Sequence, residues 1–200
     1  ANIGYYTLIF AKLVGNTGKV IAFEPEPKNF EILKKNVSIN KLSNVILEQK
    51  IVSNTNKKTK LFLANSGIVG HHTNPTKNST NFIEIDSVTL DDYFLKNDMN
   101  KKINFLKIDV EGAEIKVLEG AKTILRNDKI KIFTEFNRLV IEKLGMKPQK
   151  FLSLLTENNF KFFLPNYKIN NISKTNVDEL LTSNETILEN LNILCKKSSL

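Results

Sequence analysis

A short apolar segment near the start of the chain ends in an acidic residue whose position suits a nucleotide-like ligand. Gly4 belongs to a turn directly before a helical pattern, and Glu24 follows the segment 19–23, 20 positions after that glycine. A carboxylate at such a place accepts hydrogen bonds from the ribose hydroxyls of a bound nucleoside cofactor. Pro25 and Pro27 stiffen the chain around it and would hold the carboxylate in place. A solvated acid at a strand end is the structural alternative.

Two more acids, Asp109 and Glu111, lie where a predicted buried strand ends and a helix begins. Ligands of open α/β sheets bind in the crevice beyond the carboxyl ends of the strands, so acids at this place can take part in chemistry. If the strand continues that far, alternation places the two side chains on opposite faces, and one can face a pocket while the other caps or pairs. Acids at a helix start also interact favourably with the helix dipole, so a structural role stays open.

The two histidines, His71 and His72, lie in an irregular segment, 65–80, that is rich in Gly, Asn, Ser and Thr. A loop of about fifteen residues favours a functional role over mere connection. The imidazole of His71 could take a proton from a hydroxyl group, because histidine titrates near neutral pH. Two polar loop residues in water are the alternative that we favour. A metal site needs more ligands than this pair, and the sequence has no Cys/His cluster to supply them.

The elements that must position these residues alternate between helical and extended patterns, which predicts an α/β fold with a mainly parallel sheet. The 200 residues suit a single domain over 1–200. Predicted helices cover 5–14, 27–40, 112–126 and 147–158, with a short helix after the predicted N-cap Thr89 and a helical turn at 178–181. Predicted strands cover 19–23, 45–52, 60–64, 81–85, 104–110, 129–136, 161–164 and 187–196.

The composition argues against some classes of protein. No run of about 18 apolar residues is present, so the sequence predicts no membrane span. The net charge of +8 comes with 29 basic residues, of which only Arg126 and Arg138 are arginines. Since the lysines are scattered, we expect a solvated basic surface and no nucleic-acid partner. The single cysteine, Cys195, favours a reducing compartment, and we expect a cytoplasmic protein.

Four segments of the chain together resemble the FkbM family of methyltransferases: ANIGYYTLIFAKL, VIAFEPEPKNFEILKKNV, VTLDDYF and FLKIDVEGAEIKVLEGA. Their order and spacing fit the family across most of the chain, and FEP and IDVEGAE are the most specific parts. The resemblance implies a Rossmann-like class I methyltransferase sheet with strand order 3-2-1-4-5-7-6. It also implies S-adenosylmethionine as methyl donor and O-methylation of a hydroxyl group, commonly on a glycan or a polyketide-like natural product.

The resemblance also implies roles for residues of the first two segments. Asn2 and Gly4 would belong to the turn against the amino-acid end of the cofactor. Glu24 would hold the ribose, with Pro25 beside it in the cofactor site.

Further along the chain, the resemblance places Ile51 and Val52 on either side of the adenine. Asp109 would lie beside the methionine portion of the cofactor or beside the acceptor. A hydroxyl acceptor also needs a group that takes its proton. The candidates, in falling order, are Asp109, Glu111 and His71.

The start of the chain departs from the family pattern. In the family, a strand ending in an Asp-Val-Gly-like turn immediately precedes Ala-Asn-Ile-Gly, whereas this sequence begins at Ala1. We therefore expect an N-terminally truncated chain that lacks the first, central strand of the sheet. Activity of this polypeptide does not follow from the family, and an inactive partial protein that no longer binds cofactor is one alternative.

Other enzyme classes are further alternatives. A nicotinamide-dependent dehydrogenase shares the glycine turn and the ribose acid, but only the tail of its G-x-G-x-x-G fingerprint can be present here. Many nucleic-acid methyltransferases carry an Asn/Asp-Pro-Pro-aromatic motif after the fourth strand, where this chain reads Asp-Val-Glu-Gly over 109–112. A methyltransferase that acts on nucleic acid or on another small molecule stays open as the alternative within the same class.

Overall fold

The chain divides into two units, Ala1–Val88 and Thr89–Leu200, which we call the N-terminal and C-terminal units. The structure is a computed structural model. It describes residues 1–63, 73, 81–97, 103–166, 171–182 and 191–197.

The N-terminal unit begins with two helix–strand pairs: α1 (Tyr5–Val14), β1 (Val20–Phe23), α2 (Pro27–Ile39) and β2 (Val45–Glu48). Strands β1 and β2 pair in parallel, from Val20 opposite Val45 to Phe23 opposite Glu48. The amphipathic helix α2 buries Leu33 and Val37 against Ala22 of β1. This parallel pair is the α/β arrangement that the alternating pattern predicts.

A second sheet of the N-terminal unit contains β3 (Ile51–Val52), β4 (Lys58–Phe62) and β5 (Phe82–Val88), in the order β3-β5-β4. The prediction of one strand over 45–52 is therefore wrong, because residues 45–48 and 51–52 belong to different sheets. Pairing of β2 with β1 ends at Glu48, whereas Ile51 and Val52 pair in parallel with Ser87 and Val88. Strands β4 and β5 confirm the two predicted strands that flank the irregular segment.

The C-terminal unit contains five strands, β6 (Phe105–Ile108), β7 (Lys131–Phe136), β8 (Phe160–Asn166), β9 (Asn171–Thr175) and β10 (Leu191–Lys197). They form one sheet in the order β6-β7-β10-β8-β9. Its strands β6 and β7 are parallel, and β10 is antiparallel to both β7 and β8. The order β6-β7-β10-β8 reproduces predicted strands 4-5-7-6, and the pair β1-β2 reproduces predicted strands 2 and 3.

Helices connect these strands, and one predicted helix is divided. Residues 112–126 form two short helices because Asp91 caps the second of them. The Asp91 carboxylate accepts the backbone N–H groups of Thr123 and Ile124 at 2.8 and 3.1 Å, and its own N–H donates to Gly120 O at 3.0 Å. The helices are α3 (Leu90–Lys96), α4 (Glu114–Glu119), α5 (Lys122–Leu125), α6 (Arg138–Lys143), α7 (Pro148–Thr156) and α8 (Val177–Thr182).

Helix α3 begins at the predicted N-cap. Thr89 Oγ1 accepts the N–H of Asp92 at 3.1 Å, which confirms the prediction. The sequence did not predict α6 or β9. Over the described ranges, no helix combines the length and apolarity that crossing a membrane requires.

Candidate functional site

The turn of residues 1–4 has a backbone that only a few residue types adopt easily. Asn2 has a φ of 53° and Gly4 a φ of 99°, and Asn and Gly are the residues that tolerate this region best. A Cβ on Gly4 would lie 2.7 Å from Leu33 Cδ1 of α2. Asn36 of α2 also donates its side-chain amide to Ile3 O at 2.8 Å. The turn is therefore seated closely on α2.

Glu24 lies directly after β1 and is buried, with 6% of its surface exposed. Its Oε2 accepts hydrogen bonds from the backbone nitrogens of Ala1 and Asn2 at 3.1 and 2.6 Å. Its Oε1 accepts the N–H of Glu26 at 3.0 Å. The alternative of a solvated acid is wrong, because this carboxylate joins the turn of residues 1–4 to the end of β1.

The second acid of the FEPEP segment has a separate role that the sequence analysis missed. Glu26 is buried and caps α2, since its Oε2 accepts the N–H of Asn29 at 2.6 Å. Pro25 is half-buried between the two acids, and Pro27 takes the first position of α2, where a proline is well tolerated. A Pro that can take the first helical position, directly after an acid, is the sequence signal that could have revealed this helix start.

Ile51 and Val52 form β3 in the second sheet of the N-terminal unit. Ile51 is buried, Val52 is half-buried, and the next residue, Ser53, donates its N–H to Val88 O at 2.9 Å. Of these two residues, only Val52 keeps appreciable surface. The predicted place of both beside an adenine stays a prediction.

In the C-terminal unit, the chain turns sharply after β6. Strand β6 ends at Ile108, and Glu111 and Gly112 have φ values of 52° and 89°. The strand therefore does not continue as far as Asp109 and Glu111, and the condition for placing their side chains on opposite faces of an extended strand is not met. A Cβ on Gly112 would lie 2.5 Å from Leu144 Cδ1, so the backbone favours glycine here and any other residue would also force a neighbouring side chain to shift.

A buried carboxylate that the sequence analysis did not select holds this turn. Glu114, at the start of α4, is 4% exposed, and its Oε1 accepts the N–H groups of Val110 and Gly112 at 3.0 and 3.3 Å. Burial raises the pKa of Glu114, although these hydrogen bonds oppose the shift. Its role is to fix the turn that carries Asp109 and Glu111.

Asp109 and Glu111 are both exposed. The side chain of Asp109 is 49% exposed, and its Oδ2 lies 2.7 Å from Lys107 Nζ of β6. This ion pair compensates the charge of Asp109. Glu111 lies at the strained position of the turn.

Glu135 is an acid near the end of strand β7, and the sequence analysis missed it. In the parallel pairing of β6 with β7, Lys107 lies opposite Phe133 and Ile108 lies opposite Thr134. Asp109 follows the last pair, and its charge acts on Glu135 at the carboxyl edge of the sheet. An acid near the end of a predicted strand, beside a strand that ends in an acid, is the signal that would have found it.

The surroundings of Glu135 disfavour its charge. Burial and then the negative charges of Asp109, Glu114 and Glu111 raise the pKa of Glu135 to about 7, and Lys107 opposes the shift. Groups with strongly shifted pKa values are concentrated at functional sites. His71, the remaining proton-accepting candidate, and His72 lie outside the described residues.

Comparisons with known proteins give the fold and the family of the chain. The structure is similar to that of methyltransferase FkbM from Methylobacillus flagellatus KT, with a TM-score of 0.54 and 16% identity, over 98% of this chain and 41% of that one. This likeness shows a Rossmann-like methyltransferase fold. A family model described as the methyltransferase FkbM domain matches residues 1–162, and the chain belongs to this family.

A curated relative is similar over a shorter range. Methyltransferase 1 of Beauveria bassiana (strain ARSEF 2860) is 28% identical over 137 residues, which make up 60% of this chain and 55% of that protein. The chain thus spans about half the length of this relative.

Proposed function

We propose that the protein transfers a methyl group from S-adenosylmethionine to a hydroxyl group of a glycan or natural-product acceptor. Membership of the FkbM family supports methyl transfer. The observation that supports a hydroxyl acceptor is the pair of carboxylates, Asp109 and Glu135, at the adjacent ends of β6 and β7. A hydroxyl group must lose its proton when it is methylated, and a nearby carboxylate can take it.

The cofactor, when bound, supplies an electrophilic methyl group on a positively charged sulfur. Residues of the N-terminal unit suit its adenosine part, because Glu24 Oε1 accepts one hydrogen bond from Glu26 N–H and keeps a lone pair for a ribose hydroxyl. Pro25, in turn, restrains the backbone beside this carboxylate. Asn2 and Gly4 would contact the amino-acid end through their backbone.

Two more residues would complete the cofactor contacts. Val52, which is half-buried, is the better of the β3 pair to flank an adenine, since Ile51 is buried in its sheet. Asp109 would lie beside the methionine portion or the acceptor, where its ion pair with Lys107 holds the carboxylate in position. Glu111 and His71 stay candidates for proton transfer at the acceptor.

We also propose that the two units belong to one methyltransferase domain, because the family match over 1–162 runs through the boundary after Val88. The acceptor would be a small molecule or a glycan and not a nucleic acid. A cytoplasmic location is supported by the single cysteine, Cys195, which is buried.

The proposed reaction is tested by incubating the protein with S-adenosylmethionine that carries an isotope-labelled methyl group. The acceptors are polyhydroxylated glycans and polyketide-like alcohols, with matched amines and single-stranded nucleic acid as controls. We expect the label on a hydroxyl oxygen, located by mass spectrometry. Label only on nitrogen or on nucleic acid would contradict the O-methyltransferase assignment, and no transfer at all would favour the inactive partial protein.

A further inference from the structure

The sheet of the C-terminal unit has two unlike faces. One face is largely buried, since Ile132 and Ile193 are fully buried and Phe136 packs on Phe151 of α7. Because side chains alternate along a strand, the residues between these lie on the opposite face. On that face the residues of β7, β8 and β10 are half-buried or exposed. A ligand can therefore reach this second face, which we call the open face.

Three lysines form a row across the open face. Lys196 of β10 lies opposite Lys131 of β7 and opposite Lys161 of β8, and all three are exposed. Paired residues of antiparallel strands are only about 4.5–5.5 Å apart between Cα atoms, and like charges directly opposite each other destabilise a sheet. No acid of the described residues forms an ion pair with any of the three. This lysine row thus costs stability in the free protein, which an anionic ligand would restore.

An apolar row runs beside the lysine row. Leu194 of β10 lies opposite Phe133 of β7 and Phe163 of β8, and all three are half-buried. Each of them is two positions from a lysine of the row, or about 7 Å along the strand. Lys196 Nζ lies 4.6 Å from the centre of the Phe163 ring, and the exposed Lys174 of β9 lies opposite Phe163. The open face thus combines a line of positive charge with a parallel apolar strip.

We propose that the open face binds a linear glycan whose sugars carry carboxylate groups, and that this glycan is the methyl acceptor. The inference rests on the proposed function and narrows its class of acceptor. The carboxylates of the glycan contact the lysine row, and the C–H faces of its sugar rings lie against the apolar row.

The chemistry of the lysine row favours this ligand over other polyanions. Neighbouring strands are about 4.8 Å apart, which is close to the length of one sugar in an extended glycan, so one carboxylate meets one lysine on each strand. The row has no arginine, whose forked guanidinium is favoured for base and phosphate recognition. A straight line of charges also fits a linear ligand better than a planar lipid surface.

The lysine row lies within reach of the proposed acceptor site on the same sheet. Phe105 of β6 is opposite Lys131 of β7, and Asp109 follows four residues after Phe105. Four residues of strand span at most about 13 Å, so a glycan of several sugars reaches the carboxyl edge. There a hydroxyl oxygen of the glycan forms a bond to the methyl carbon, and the bond from that carbon to sulfur breaks with its electron pair on sulfur. The hydroxyl proton passes to Asp109 and then to water.

The first experiment measures the binding of oligogalacturonate, which carries one carboxylate on each sugar, by isothermal titration. We expect the wild type to bind it, with an affinity that falls as salt rises, because salt screens exposed charges. The row variant, in which glutamine replaces all three lysines, should bind roughly 3- to 100-fold more weakly, as for the loss of up to three exposed ion pairs. It carries Lys131→Gln, Lys161→Gln and Lys196→Gln.

A control variant removes the same charge from exposed lysines of the N-terminal unit, by Lys12→Gln, Lys35→Gln and Lys58→Gln. It should bind oligogalacturonate like the wild type. In methyl transfer, the row variant should have a higher KM for a carboxylated glycan with an unchanged kcat, and it should methylate a neutral alcohol like the wild type.

A second experiment uses thermal unfolding and needs no ligand. Because Lys161 faces a like charge, Lys161→Gln should raise the unfolding temperature by about 1–4 °C at low salt, and the gain should shrink at high salt. Lys35→Gln is the control and should leave the unfolding temperature unchanged. A Lys161→Gln variant that is no more stable than the wild type at low salt would overturn the argument that the row lacks a compensating charge.

The results separate the two hypotheses. A wild type that does not bind oligogalacturonate, or a row variant that binds it as tightly as the wild type, overturns this inference and leaves the proposed function intact. Binding to phosphatidylglycerol vesicles or single-stranded DNA that is tighter and depends on the row overturns the glycan as ligand. A wild type that binds oligogalacturonate but methylates no hydroxyl contradicts the proposed function and, with it, the role of the glycan as acceptor.

Discussion

The turn of residues 1–4 and the turn of residues 109–113 use carboxylates in the same way but differ in which acid is left for chemistry. In the first turn, the buried carboxylate of Glu24 accepts backbone N–H groups. In the second, the buried carboxylate of Glu114 does so, whereas Asp109 stays exposed. A sequence pattern that finds acids at strand ends does not distinguish a buried acid that holds a turn from an exposed acid.

The difference teaches that burial and hydrogen bonding decide what a strand-end acid does. Glu24 combines a scaffold role with its proposed ligand role, so a substitution there changes both. In the C-terminal unit the two roles are divided, because Glu114 holds the turn while the exposed Asp109 is the residue proposed to act on the acceptor side. Substitutions in that unit can therefore separate stability from activity, and those in the N-terminal unit separate them less well.

The largest effect should come from the crowded glycine of the second turn. Gly112→Ala adds a Cβ at 2.5 Å from Leu144 and 2.6 Å from Val140, at a φ of 89°. Left-handed strain and overpacking together should lower the free energy of unfolding by about 2–4 kcal/mol. The measurement is urea unfolding, with Gly145→Ala as control, since that glycine has a φ of 73° and nothing within 4 Å. Equal losses in both variants would show that packing on the turn is unimportant.

A smaller but specific loss should follow from Asp109→Asn, which removes a charge and keeps the shape. We expect turnover to fall about 10- to 100-fold, as for the loss of charged hydrogen bonds worth about 1.5–3 kcal/mol. The unfolding temperature should stay within a few degrees of the wild type. Asp128→Asn is the control, because Asp128 is also paired with a lysine, Lys197, and is exposed. Residual activity that follows only the folded fraction would assign Asp109 a structural role.

The smallest effect should come from the glycine of the first turn. Gly4→Ala brings its Cβ close to one side chain only, the buried Leu33, at 2.7 Å from Cδ1, whereas Gly112→Ala crowds two, so overpacking should cost about 1 kcal/mol, the low end of its usual range. Gly15→Ala is the matched control, with a φ of 66° and nothing within 4 Å. The difference in unfolding free energy between these two variants should stay below that between Gly112→Ala and Gly145→Ala. The reverse order would contradict the comparison of the two turns.

Much of the fold could be predicted because it depends on local patterns. The helix over Tyr5–Val14 has the predicted bounds, and β1 and α2 begin or end within one residue of their predicted limits. The break of the helix after Gly120 could not be predicted, since it depends on Asp91, which is distant in sequence. The division of 45–52 into two strands likewise depends on pairing with β5.

The site was predicted in part for the same reason. Acids that follow a predicted strand can be recognised in the sequence, and this pattern led to the prediction of Glu24 and Asp109 as site residues. The interpretation of Glu114 and Glu135 required the register of β6 with β7 and the burial of each carboxylate, which no local pattern contains. The separate roles of the acids therefore became clear only in three dimensions.

The central claim is that Glu24 binds the ribose of the cofactor, and isothermal titration with S-adenosylhomocysteine tests it most directly. Because Glu24 also holds the turn of residues 1–4, Asn36→Ala is the control, since Asn36 holds the same turn through Ile3 O. We predict that the wild type binds, that Glu24→Ala weakens binding by about 1–3 kcal/mol, and that Asn36→Ala weakens it clearly less. A wild type that does not bind, or a Glu24→Ala variant with unchanged affinity, would contradict the claim.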